Sequence, residues 1–320
     1  CALPISRLTV RQYRNTAADL FADSRGSAPG VDDRRGLRGE YFRGRSFDRR
    51  IDFVYERIDP LVDFDFRVEG PDPELFEANR FAIRWTGSIV PPETGVYEFT
   101  IRTAHSARLA INSSSEEPPL IDAWVKSGND TERRSSIMLL GGRAYPLRLE
   151  FSKAHQGVDK RHERLANASI ELLWKPPHGV LELVPSRCLI PEEVPCVFVL
   201  KTPFPPDDKS IGYERGTSVS QEWFAAATAA GVEMADYAVD HVAELAGAAR
   251  DSRDRAEEVV RFAARFAERA FRRPLADDLR HLVVERPFAD APDLDTALKR
   301  SLLLVSISNG GQTKLSSKKR

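Results

Sequence analysis

Cysteine is scarce in this chain: three in 320 residues, Cys1, Cys188 and Cys196. That number cannot build the disulfide framework of a small secreted module, and without a Cys-x-x-Cys-His run no haem is attached covalently to this segment. Cys188 and Cys196 lie close together around Pro191 and Pro195, and a disulfide closing that loop and two separate thiols are both open. An excess of one charge is missing too. Against 48 Asp and Glu stand 47 Lys and Arg, a formal net charge of −1, so bulk attraction to nucleic acid is not expected. The arginines alternate with acids and read as solvated mixed-charge faces. No apolar run approaches the roughly 18 residues that cross a bilayer. No signal peptide is visible and position 1 is not Met, so the chain is expected to be a fragment or a processed product. Gly-x-Ser-x-Gly, Walker and Rossmann glycine loops are absent, which removes the commonest acyl-transfer and nucleotide chemistries. No internal repeat of roughly 20–50 residues appears, which argues against a propeller.

What is present is period-2 alternation. Phe81, Ile83 and Trp85 alternate before Pro91-Pro92, and Tyr97, Phe99 and Ile101 alternate after Gly95. Strands on both sides of a Pro-Pro-x-x-Gly turn predict an antiparallel hairpin. Similar patterns recur at Val62 to Phe66, Leu109 to Ile111, Leu120 to Trp124, Ile137 to Leu139, Tyr145 to Phe151 and Ile170 to Trp174, with a first strand around Glu40 to Phe42. Many short strands separated by turn signals predict a sandwich or barrel rather than βαβ units. Trp85, Tyr97, Phe99, Trp124, Leu149 and Trp174 lie on these alternations and are the expected core.

Read together, Gly39 to Phe42, Trp85 to Gly87, Pro92 to Phe99, Ala107 to Ile111, Leu120 to Trp124, Leu140 to Gly142, Tyr145 to Phe151 and Ile170 to Trp174 resemble a PA14 domain, the β-sandwich type of the anthrax protective antigen. The resemblance runs from about Gly36 to Pro191 and implies a carbohydrate-contacting or scaffold module rather than a catalytic one. Members that bind sugar through calcium carry two adjacent aspartates just before the strand matching Ala107 to Ile111. Here that loop reads Thr-Ala-His-Ser (103–106), and Ala104 and His105 offer no carboxylate to a cation that needs six to eight oxygens. Calcium-independent binding is therefore expected. His105, Ser106 and Asn112 are the candidate ligand-binding side chains, and no catalytic or metal residue is assigned. Two histidines flanking Asp159, His155 and His162, fall short of a zinc site without a third ligand. The pairs Asp32-Asp33, Asp207-Asp208 and Asp277-Asp278 read as turn or helix-start residues.

The flanks predict helices. Between Ile5 and Phe21, Tyr13, Ala17, Leu20 and Phe21 fall near helical spacing, and Thr9 with Gln12 suits a capping box. This start, Pro205 to Ser218 and Ala270 to Leu275 are similar to uncharacterised helical families of planctomycete surface proteins, in which a PA14 domain is inserted. After the sandwich, Ser218 with Gln221 has capping spacing. An apolar stripe then runs from Trp223 to Leu245, with Gly247 as its stop. Val259, Phe262, Phe266 and Ala270 repeat at three and four before Pro274, and Asp293 or Asp295 opens a last helix. Cys1 to Ile5 also match the translation of a sequencing-library adapter. Residues 307–320 turn lysine-rich in an otherwise arginine-preferring chain, and both ends are expected to be non-native.

The expected fold is a mixed multi-domain chain: an antiparallel PA14-like β-sandwich flanked by an N-terminal helix and a C-terminal α-helical bundle fragment. Its expected boundaries are 1–35 for the N-terminal helical segment, 36–191 for the sandwich, 192–217 for a linker, 218–306 for the helical domain and 307–320 for a tail. The expected role is a non-catalytic carbohydrate-binding or adhesion module of a larger extracytoplasmic protein. Polysaccharide or glycan is its partner, it uses no cofactor, and its oligomeric state is open. Two other readings stand beside it: a spacer in a polysaccharide-degrading or cytochrome-containing parent, and a structural surface protein with no ligand.

Overall fold

The computed structural model describes residues 7–22, 34–44, 46–78, 80–114, 117–125, 130–153, 167–210, 214–216, 219–249 and 251–311, with side chains up to 306. The chain divides into two compact units, residues 28–197 and a second made of 1–27 with 198–320.

The first unit is an antiparallel β-sandwich. Its larger sheet runs in the order β2 (Phe53–Asp59), β1 (Leu37–Phe42), β4 (Phe81–Ile89), β9 (Tyr145–Lys153), β6 (Ser106–Ile111) and β7 (Ile121–Ala123), with β12 (Leu189–Ile190) added to β4. The smaller sheet runs β11 (Glu182–Leu183), β10 (Ala168–Lys175), β5 (Gly95–Arg102) and β8 (Glu132–Leu139), with β3 (Asp63–Arg67) paired to β10. Alternate residues of the two inner faces meet as an aromatic core: Trp85, Tyr97, Phe99, Leu149 and Trp174 are all 1% exposed or less. Phe64 stacks on Trp85 at 5.6 Å, and Tyr97 packs on Trp174 at 5.1 Å.

Trp124 is a correction. It is only half-buried, because it shares strand parity with Asp122, whose carboxylate faces solvent. The expected hairpin at 81–101 is another. β4 pairs with β1 and β9, whereas β5 pairs with β10 and β8, so residues 90–94 carry the chain from one sheet to the other. Two consecutive prolines lack the donors for a ladder, which suits a crossing better than a two-strand turn. Cys188 and Cys196 are thiols and not a disulfide. His155, Asp159, His162, Asp32 and Asp33 lie outside the described residues.

In the second unit, α1 (Val10–Ala22) joins α2 (Gln221–Asp240), α3 (Val242–Ala246), α4 (Arg255–Phe271), α5 (Asp277–Arg280), α6 (Arg286–Asp290) and α7 (Leu294–Gly311). α1 opens with a reciprocal capping box: Thr9 N donates to Gln12 Oε1 at 2.9 Å and Gln12 N to Thr9 Oγ1 at 3.2 Å. Phe21 plugs the helical core against Phe198, Tyr237 and Phe266. The cap of α2 is Ser220, accepting from Trp223 N at 3.1 Å, rather than Ser218, which lies outside the described residues. Gly247 closes α3 with φ +70°, where a Cβ is disfavoured, and Asp293 caps α7 through Thr296 N at 2.8 Å. Among the described residues no helix is long and apolar enough to cross a membrane.

Candidate functional site

Strands β1, β3, β5, β7 and β9 all finish at one end of the sandwich, because each ends beside the start of its antiparallel neighbours. The loop 103–105 lies at this end. Thr103 Oγ1 donates to Ser169 O at 2.7 Å and accepts from His105 N at 3.1 Å. His105 Nε2 lies 3.0 Å from Asn167 O, and the ring stands edge-on to Phe151 at 6.0 Å. Ser106 is 7% exposed and pairs with Ser152 in register. The His105 ring links the two sheets, reaching Asn167 before β10 and Phe151 in β9, whereas the Thr103 bond to Ser169 stays within the smaller sheet; the bonded groups of the loop are turned to the protein. Asn112 sits at the opposite end of β6. Its amide donates to Val197 O at 2.8 Å and accepts from Val197 N at 2.7 Å, a two-bond clasp at φ +53°. The three candidates are thus not gathered: His105 and Ser106 share one end, and Asn112 holds the exiting chain at the other.

Lys153 closes β9 at the same end as His105. It is 3% exposed, its ammonium has no hydrogen-bond partner among the described residues, and burial pushes its pKa down. Asp207 and Asp208, in the helical unit, have structural duties. Asp207 accepts from Val10 N at 2.7 Å and pairs with Arg7 at 2.6 Å, so it serves α1, while Asp208 holds Ser210 N and Arg215. Among the described residues no group of three or more His, Cys, Asp or Glu side chains is placed to hold a metal ion.

A different constellation lies on the outer face of the larger sheet. Register aligns Glu56, Glu40, Arg84, Glu150, Arg108 and Asp122 in one row across six strands. Arg84 reaches Glu40 and Glu150 at 3.4 Å each, and Arg108 reaches Asp122 at 3.2 Å. Glu40 and Glu56 face each other as like charges, a destabilising pair that Arg49 relieves by bridging them at 3.0 and 2.9 Å. Aromatic rings cover this row. Phe47 lies 4.5 Å under the Arg84 guanidinium and 5.9 Å from Trp124.

At the sheet edge Arg108 stands 4.7 Å over the Trp124 indole, and Asp122 Oδ1 accepts from both Arg108 Nε and Trp124 N. A ring partly open to solvent, a guanidinium fork and a half-exposed carboxylate thus meet within one edge strand and its neighbour. That set can stack on an apolar sugar face while donating to and accepting from adjacent hydroxyls. Sequence reasoning assigned Trp124 to the core and passed over Arg108 and Asp122. The signal was present: in Ile121-Asp-Ala-Trp124 the tryptophan alternates with Asp122, not with Ile121.

The fold and this surface define an antiparallel sandwich module with a polar, aromatic-bearing outer face. Residues 33–187 match the family model of the PA14 domain, and this segment is a PA14 domain. Anti-sigma-I factor RsgI3 of Acetivibrio thermocellus is 32% identical over 160 residues, covering 50% of this chain and 22% of that protein. A beta-glucosidase of Rhizobium radiobacter is 30% identical over 125 residues, 38% of this chain and 15% of that protein. The chain therefore spans less than a quarter of either curated relative. Among solved structures, an anti-sigma factor domain-containing protein is similar with 32% identity and a TM-score of 0.42, covering half of each chain.

Proposed function

We propose that the sandwich is a non-catalytic carbohydrate-binding module whose contact surface is the Trp124–Arg108–Asp122 edge of the larger sheet. The observation that carries this reading is the position of Trp124. Trp85 and Trp174 are sealed in the core, whereas Trp124 keeps part of its ring at the surface beside a guanidinium and a carboxylate. The PA14 match over residues 33–187 supports this reading, since the resemblance implies a carbohydrate-contacting or scaffold module. Binding is calcium-independent in this reading, because Thr103 to Ser106 supply no carboxylate and their polar groups face the protein. The reading sets the protein outside the cytoplasm, where polysaccharide is met, as one part of a larger surface protein with helical segments on either side of the sandwich.

The test is binding of the whole chain to an array of polysaccharides, with calcium and with EDTA. Trp124→Ala should lose the signal and EDTA should leave it intact. Loss of binding in EDTA would remove the calcium-independent mechanism. An array with no signal under either condition would leave a spacer or purely structural module.

A further inference from the structure

The helical unit holds a pocket of about 280 Å³ among α1, α2, α4 and α7. Its walls are apolar, with Leu20, Met234, Phe266 and Phe271 prominent, and its volume is roughly twice the ~150 Å³ of a cavity that takes up benzene. Polar groups interrupt that lining at Arg7, Thr16, Arg272 and Ser306, and two aromatic donors, Trp223 and Tyr13, stand beside them. Trp223 is 5% exposed and its indole N–H has no hydrogen-bond partner among the described residues. Tyr13 meets Trp223 edge-to-face at 5.7 Å, and its hydroxyl makes no hydrogen bond to a described residue. Burial pushes the Tyr13 phenol up to about 12, so it stays protonated and can donate at neutral pH. A buried donor left without an acceptor is costly, and native interiors seldom tolerate one unless something else fills the role.

Two guanidiniums line the pocket: Arg272 is exposed to solvent, where its charge is screened, and the nearly buried Arg7 is neutralised. Arg7 lies 5.0 Å over the Trp223 ring, but it is ion-paired to Asp207 at 2.6 Å, and both side chains are nearly buried. The pocket therefore offers hydrogen bonds without an unbalanced positive charge, which favours an uncharged acceptor over a carboxylate or phosphate. We infer that this pocket binds a small apolar molecule carrying one neutral carbonyl oxygen, which accepts hydrogen bonds from Trp223 Nε1 and Tyr13 Oη while its hydrocarbon body lies against Leu20, Met234 and Phe266. The inference is independent of the sugar-binding reading, since every residue it uses belongs to the helical unit.

Titration calorimetry of the whole chain with 2-nonanone, nonane and nonanoate tests it. The ketone should bind saturably and more tightly than either comparator. Trp223→Phe and Tyr13→Phe keep the rings and delete one donor each, and each should weaken the ketone by about two- to tenfold while leaving nonane unchanged. Circular dichroism of both variants verifies that they are folded. No saturable ketone binding by the wild type would overturn the inference. So would nonanoate outranking the ketone, or folded variants that bind the ketone as tightly as the wild type.

Discussion

Asp59 Oδ2 accepts a 2.7 Å hydrogen bond from Trp85 Nε1 inside the sandwich, and the bond exists because residue 39 has no side chain. A Cβ on Gly39 would stand 2.4 Å from the same Asp59 oxygen and 3.2 Å from Trp85 Nε1. Tyr41 Oη donates to that oxygen at 2.7 Å and Arg57 Nε to the other at 2.7 Å, while Arg57 Nη2 donates to Tyr41 Oη at 2.8 Å. The buried carboxylate is thus fully partnered, the condition under which a charge is tolerated in a core.

Removing either party should be expensive. Gly39→Ala is expected to destabilise the sandwich by about 1–3 kcal/mol through overpacking against the carboxylate. Asp59→Ala strands the Tyr41 and Trp85 donors and should cost about 3 kcal/mol or more. Urea unfolding followed by tryptophan fluorescence measures both. A Gly39→Ala protein as stable as the wild type would show that the network gives way easily.

Alkali should unfold the protein in a defined window. Burial raises the Tyr145 and Tyr13 phenols from 10 to about 12, and burial together with the Asp59 charge raises Tyr41 as well. The folded state therefore keeps these protons where the unfolded chain has lost them. Their stabilising contribution is complete below pH ~10 and falls away between pH ~10 and ~12. Denaturation midpoints across that range should decline. Tyr145→Phe should flatten part of the slope, although it gives up the bond that Tyr145 Oη accepts from Leu140 N at 2.8 Å.

Asn112 separates two contributions to stability. Asn112→Ala deletes both bonds to Val197 and places a Cβ-bearing residue without a polar side chain at φ +53°, whereas Asn112→Gly deletes the bonds alone. Both should lower stability, with Ala worse than Gly by about 1 kcal/mol. Equal losses in thermal melts would show that the backbone relaxes there.

Lys153 is a buried ammonium with no hydrogen-bond partner among the described residues and only the Phe81 ring face at 5.9 Å, so a hydrocarbon of similar length should suit its position better. Lys153→Met is expected to raise stability at neutral pH by about 1–3 kcal/mol. Because its folded pKa is lowered, the wild type should recover stability as pH rises toward the unfolded value near 10.5, and the gain from methionine should shrink accordingly. A destabilised Lys153→Met protein would mean that the ammonium has a favourable role.

Much of the architecture was legible in the residues. Alternation located β4, β5, β9 and β10, and the box at Thr9 and Gln12 marked the start of α1. β2 escaped because Phe53 to Asp59 mixes charged and apolar residues on a half-exposed edge, leaving little period to detect. β11 and β12 escaped because two residues carry no period at all. Of the candidate site, the contacts that the loop 103–106 makes within the protein were not legible. Hydrogen bonds from Thr103 to Ser169 O and between His105 and Asn167 O join positions more than sixty residues apart, and spacing in one segment says nothing of such partners.

Local pattern alone determined the longer strands and helices and the apolar face of each, because those choices depend on neighbours two to four residues away. Tertiary structure decided the rest. It sent β4 and β5 into different sheets, lined six charged residues from six strands into one row, and set Trp124 at an edge rather than in the core. Strand order and sheet partnership arise from contacts between distant segments, and period-2 alternation is the same whichever neighbour a strand takes.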